Sequence, residues 1–141
     1  MCLTSLYPVV CFAQLRNNVT RKYTTMSSAW LSKGKRKQIE ERDQMVCCYC
    51  GKLCVKYIDR VNNTDFATLD HIVPQEEIRL AYQSQGVEAV KKAIQDIHNL
   101  VLVCNACNSS KQETPLYVWC IAKAFDYGTI IAEIARRIAL N

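Results

Sequence analysis

The chain has 141 residues, half of them apolar, with nine cysteines and a formal charge of +5. That length supports one compact domain with a tail, and a core so small calls for a staple. No apolar run is long enough for a membrane-spanning helix, which excludes a helical membrane protein. The charge is unevenly placed. No acidic residue precedes Glu40, while Arg16, Arg21, Lys22, Lys33, Lys35, Arg36 and Lys37 all do. A basic arm on a near-neutral body suits phosphate-backbone contact without base readout. Lys33, Lys35, Arg36 and Lys37 are the candidate nucleic-acid contacts; residues 1–27 read as a disordered extension.

In chain order, Ser28–Met45 reads as a basic lead-in and a short helix, with Ile39 and Met45 apolar. Cys47–Cys54 is a turn-rich knuckle around Gly51. Val55–Asp59 and Phe66–His71 read as strands flanking the turn residues Asn62, Asn63 and Asp65. Pro74 ends the second strand. Glu76–Gln83 and Val87–Ile97 read as helices broken at Gly86, and Leu100–Val103 as a short buried strand. Asn105–Gln112, Leu116–Phe125 and Thr129–Leu140 complete the pattern as helices. Domain boundaries follow: a core over residues 28–115 and C-terminal helices over 116–141.

Cys47-Cys48-Tyr49-Cys50 and Cys104-Asn105-Ala106-Cys107 are two C-x-x-C pairs. Zinc takes four thiolates in a tetrahedron, and each pair supplies one edge of it. Gly51 lets the first knuckle turn tightly. Disulfides would need an oxidising compartment, for which no convincing signal peptide is present. A thioredoxin-like pair would leave the second C-x-x-C unexplained. Cys48 and Cys54 are alternative ligands; Cys2, Cys11 and Cys120 read as ordinary thiols. Four thiolates leave no open position, so this zinc is expected to be structural.

Between and around these pairs lie Asp70-His71-Ile72-Val73-Pro74, His98-Asn99-Leu100 and Cys107-Asn108-Ser109-Ser110-Lys111. Taken in this order with the knuckle, they resemble the HNH endonuclease family in its zinc-knuckle subgroup, from about Arg42 to Lys111. The resemblance implies an α+β fold built on a ββα-metal unit, with strands Thr68–His71 and Leu100–Val103 and a helix from Asn105. It implies His71 as general base, Asp70 and Asn108 as ligands of a catalytic Mg²⁺ or Mn²⁺, Asn99 as the residue orienting the histidine loop, and Lys111 as a phosphate contact. The residue types suit DNA phosphodiester hydrolysis. Imidazole accepts a proton from water near neutral pH, and a carboxylate with an amide oxygen suits a hard cation. Asparagine at position 108, where the family often has histidine, favours Mg²⁺ or Mn²⁺ over a transition metal that prefers imidazole.

His98 reads as a strand-start residue or a contact to the knuckle. Leu116, Val118, Trp119, Ile121, Ala122 and Phe125 read as core-covering, with Trp119 packed rather than stacked on a base. Ile130, Ile131, Ile134, Ile138 and Leu140 give the last helix an apolar stripe that packs on the core or forms a homodimer. Three functions stand: a metal-dependent DNA endonuclease, of phage or mobile-element homing type in one reading; a silent zinc module that binds nucleic acid; and a zinc-stapled protein-interaction domain. The cysteines fit a reducing, cytoplasmic setting. Residues 1–25 also resemble an organellar transit peptide, and Met26 is a second candidate start.

Overall fold

A computed structural model of the chain describes residues 31–56 and 64–140. Helix α1 spans Lys33–Arg42 and starts on Ser32, whose hydroxyl accepts the Lys35 amide. It stops where Gln44 and Met45 take left-handed backbone angles, φ 53° and 58°. The knuckle follows, closed by the Cys47 amide donating to the Lys52 carbonyl and by Gly51 at φ 72°.

Strands β1 (Ala67–His71) and β2 (Leu100–Cys104) pair antiparallel, with Ala67 opposite Cys104 and His71 opposite Leu100. Their connection carries α2 (Gln75–Tyr82) and α3 (Val87–Ile94), which pack on each other. Pro74 stands at the start of α2, where its missing amide proton costs nothing, and Gly86 at φ 93° separates the two helices. Helix α4 (Asn105–Lys111) follows β2 with no loop and packs on both strands. Helices α5 (Leu116–Lys123) and α6 (Tyr127–Ile138) pack together.

The core runs along β2, whose five residues are all buried, as Val- and Leu-rich strands covered on both faces must be. A buried charge network ties α1, β2 and α6 to it. Asp43 pairs with Arg42 at 2.6 Å and with Arg137 at 3.5 Å, and accepts the Leu102 amide at 2.7 Å. Arg42 donates onward to the carbonyls of Ile97 and Leu100, and Arg137 to that of Val46. Every arm of the network therefore ends on a partner, the condition under which buried charges are tolerated.

Several expectations are corrected. The strand at Val55–Asp59 reduces to a single bridge from Val55 to Phe66; Tyr57–Asp59 lie outside the described residues. Helix α3 ends at Ile94, not Ile97, because Asp96 turns its side chain onto the His98 amide and starts a 3-10 turn, Ile97–Asn99. Val118 and Ile121 are exposed, whereas Leu116, Trp119 and Cys120 are buried. The α5 sequence is apolar around most of its circumference, so its pattern could not distinguish the inward stripe. On α6, Ile130 and Ile134 are buried while Ile131 is exposed, as is Leu140 just beyond the helix. The expectations for residues 1–27 lie outside the described residues.

Candidate metal centre and histidine site

The sulfurs of Cys47, Cys50, Cys104 and Cys107 all lie within 4.8 Å of one another, and those of Cys50 and Cys104 are 3.8 Å apart. A tetrahedron with metal–sulfur bonds of about 2.3 Å has edges of about 3.8 Å, so the donor set fits a four-thiolate ion. The knuckle supplies two ligands; the end of β2 and the first turn of α4 supply the others. Burial pushes the Cys47 thiol up to about 11. Burial also acts on Cys50, but hydrogen bonds from the Lys52 backbone and the neighbouring thiols outweigh it and leave that thiol lowered. A cation that replaces the protons resolves this crowding. Cys48 and Cys54, the alternative ligands, stand outside the cluster, and burial raises each to about 12.

Asp70 and His71 sit at the end of β1, both buried. His71 Nε2 is 2.9 Å from the Ile94 carbonyl, which can only accept, so Nε2 carries the proton and Nδ1 is the acceptor nitrogen. Nδ1 faces the Gln75 amide at 3.4 Å. Burial, only partly offset by the Ile94 hydrogen bond and Asp70, lowers the imidazole from its ordinary value. The ring is thus held neutral with a basic nitrogen.

Asn99 reaches across to the segment after β1. Its Oδ1 accepts the Val73 amide at 2.8 Å, its Nδ2 donates to the Val73 carbonyl at 3.1 Å, and its own carbonyl accepts the Ile72 amide at 3.0 Å. Three bonds to two consecutive residues fix the chain directly beyond His71. Asn108, one residue after Cys107 on α4, donates through Nδ2 to Thr68 Oγ1 at 3.0 Å and to the Leu69 carbonyl at 3.4 Å. Its nitrogen is thereby anchored on β1, leaving the amide oxygen as the acceptor atom of the side chain.

Two side chains converge on one oxygen of Asp70. Tyr49 donates its hydroxyl to Oδ2 at 2.7 Å, and Lys111 Nζ lies 3.0 Å from the same atom. Tyr49 comes from inside the cysteine knuckle and leans its ring on Trp119, 5.2 Å between centroids. Burial, then the negative charge of Asp70, keeps it a phenol. Composition gave no hint of this role; its only sequence signal is its place between two ligand cysteines. The expected phosphate contact at Lys111 is corrected: the side chain has 0% exposure and also donates to the His71 carbonyl at 3.2 Å. It stands one turn beyond Asn108 and Cys107 on the inward face of α4, so helical geometry turns it into the core.

The basic arm is corrected in part. Lys35 donates to the Gln95 carbonyl, while Arg36 pairs with Glu40 and donates to the Ala67 carbonyl. These two hold α1 on the body. Lys33 is exposed, and Lys37 is exposed beside Glu41. His98 pairs with Asp96 at 3.0 Å rather than with the knuckle. Trp119 is buried between Tyr49 and Phe125 and donates to Ser110.

An antiparallel strand pair, a helix launched from its second strand and a four-cysteine cluster at that junction together define a small ββα-metal core. The HNH endonuclease family model matches residues 47–114, and the chain carries a domain of that family. The match begins at the first ligand cysteine and spans both strands and α4. No curated protein and no solved structure matches the chain. No helix among the described residues is long and apolar enough to cross a membrane.

Proposed function

We propose that this chain is a DNA endonuclease that hydrolyses phosphodiester bonds with His71 as general base. The observation that supports it most is the bond from His71 Nε2 to the Ile94 carbonyl. It selects the tautomer whose Nδ1 takes a proton from water, and burial keeps that nitrogen unprotonated near neutral pH. Asn99 is the positioning residue: its three bonds to Ile72 and Val73 hold the peptide that follows the base.

The divalent ion expected in this family is assigned to Asp70 and Asn108, and the donor set fits. Asp70 is anchored through Oδ2 and Asn108 through Nδ2, so Oδ1 of each is the atom assigned to the ion, and both are hard ligands. When bound, Mg²⁺ or Mn²⁺ would supply Lewis-acid stabilisation of the leaving oxygen. Zinc is assigned to the four cysteines as a structural ion, since four thiolates close its coordination. It fixes the start of α4, and with it Asn108, against the end of β2. Lys33 and Lys37 are the backbone-contacting cations that α1 still presents. A homing-type role is one reading of a domain of this family.

The test is nicking of supercoiled plasmid by the zinc-loaded protein with Mg²⁺ or Mn²⁺. Cleavage is expected, and His71→Ala is expected to abolish it without loss of zinc. Salt-sensitive DNA binding with no His71-dependent nicking under either ion would instead establish a silent zinc module.

A further inference from the structure

A hard-cation site ordinarily gathers negative charge, and the surroundings of Asp70 do the opposite. The groups facing its carboxylate are Tyr49, a neutral donor at 2.7 Å, and Lys111, an ammonium at 3.0 Å. Asn108, the other assigned ligand, adds no charge. The one anion of the site is therefore already balanced by a cation built into the fold.

Lys111 is not a mobile surface lysine that a metal ion can push aside. Its side chain is fully buried, its Nζ also donates to the carbonyls of His71 and Gln112, and its backbone lies in α4 one turn from Cys107. Leaving that position would strand an ammonium in the core without the partners that offset its desolvation. Any divalent ion on Asp70 must share the carboxylate with this ammonium. In a low-dielectric site, such like-charge proximity weakens binding strongly. A phosphodiester brings the missing negative charge.

We infer that Lys111 is a resident counter-ion that keeps the Asp70–Asn108 site from taking a divalent ion alone, so that the ion enters together with nucleic-acid phosphate. This rests on the assignment of the ion to Asp70 and Asn108 made above. It gives Lys111 a function other than phosphate contact: the lysine sets the order of binding, and keeps the hydrolytic centre unassembled until a backbone is present.

The experiment is a Mn²⁺ titration of the zinc-loaded full chain followed by electron paramagnetic resonance, in a His71→Ala background so that duplex stays intact. Without DNA, binding is expected to be weak; with saturating duplex it should tighten at least tenfold. Lys111→Met should bind Mn²⁺ without DNA at least tenfold more tightly than the Lys111 protein, and Lys111→Arg, which keeps the charge, should not. Zinc content and tryptophan fluorescence report whether each variant is folded. Micromolar Mn²⁺ binding that duplex leaves unchanged overturns the inference, as does a folded Lys111→Met no tighter than its parent. Should Lys111→Met not fold, the duplex arm decides alone, because it uses no lysine variant. Absence of Mn²⁺ from every arm also overturns the inference, while His71-dependent plasmid nicking is scored separately and judges the nuclease reading.

Discussion

The cysteine cluster and the Asp70 site are neighbours joined by one side chain, yet they are built on opposite plans. Four soft ligands converge at the first, two of their sulfurs 3.8 Å apart. At the second, one carboxylate is already shared between a phenol and an ammonium. The first arrangement is costly without a cation; the second is satisfied without one. On the proposed assignments, a site that holds an ion permanently and one that takes an ion transiently would differ in this way.

The largest effect should come from breaking the first plan. Cys107→Ala removes one sulfur and is expected to lose both the metal and cooperative unfolding. Structural zinc contributes on the order of 10 kcal/mol in small domains, comparable with a domain's entire stability. Cys48→Ala and Cys54→Ala should keep one metal per chain, since neither belongs to the cluster. Elemental analysis and circular-dichroism melting read both outcomes, and metal retained by Cys107→Ala would overturn the ligand assignment.

His71→Ala tests the second plan, and should leave zinc and melting behaviour nearly intact while cleavage falls by about 10²–10⁴-fold, the usual contribution of a general base. The pH profile has a definite sign. Only neutral imidazole accepts the proton, and burial lowers its ordinary value of 6.5. Cleavage by the unmodified protein should therefore rise with pH below 6.5 and be flat above it. A midpoint above 7 would point to another base or to an imidazolium stabilised by its surroundings.

Asn99→Ala comes next. It removes the two side-chain bonds to Val73 but leaves the His71–Ile94 contact. Misplacing a base by about an ångström costs about 10²-fold, and that loss should fall on kcat with KM little changed. On the proposed assignment of Asn99 as a positioning residue, the profile should keep the midpoint of the unmodified protein. A fall in KM-linked binding with kcat preserved would place Asn99 in nucleic-acid contact instead.

What could be read from the sequence follows the same division. The four cysteines of the cluster stand out because each C-x-x-C pair has a short, fixed spacing, and Asp70-His71, Asn99 and Asn108 stand out through the resemblance to the HNH pattern. The partners that satisfy them do not. Lys111 reads as a phosphate contact through the family resemblance alone; nothing local says that the helix turns it inward. Arg42, Asp43 and Arg137 form a buried network across 95 positions of chain, and Tyr49 meets Asp70 across 21. Such pairings depend on tertiary approach, which periodicity does not encode. Lys35 and Arg36 likewise read as open cations until Gln95, Glu40 and Ala67 are seen to accept from them.

The smallest expected effect, and the sharpest test of the division, lies at Tyr49. Its backbone belongs to the metal knuckle, its hydroxyl to Asp70 and its ring to Trp119. Tyr49→Phe keeps the ring and removes one hydrogen bond to a charged group, worth about 1.5–3 kcal/mol. In a chain of this size that is a fall of several degrees in Tm. Lys111 still balances Asp70, so the carboxylate is not left as an isolated buried charge and the fold should survive. Metal content should remain at one zinc per chain, because no sulfur has moved, while cleavage should decline by less than in Asn99→Ala. Loss of zinc from Tyr49→Phe would mean that the two sites are one cooperative unit, with the phenol holding the knuckle through Asp70. Unchanged stability together with unchanged cleavage would mean that Lys111 alone fixes the carboxylate.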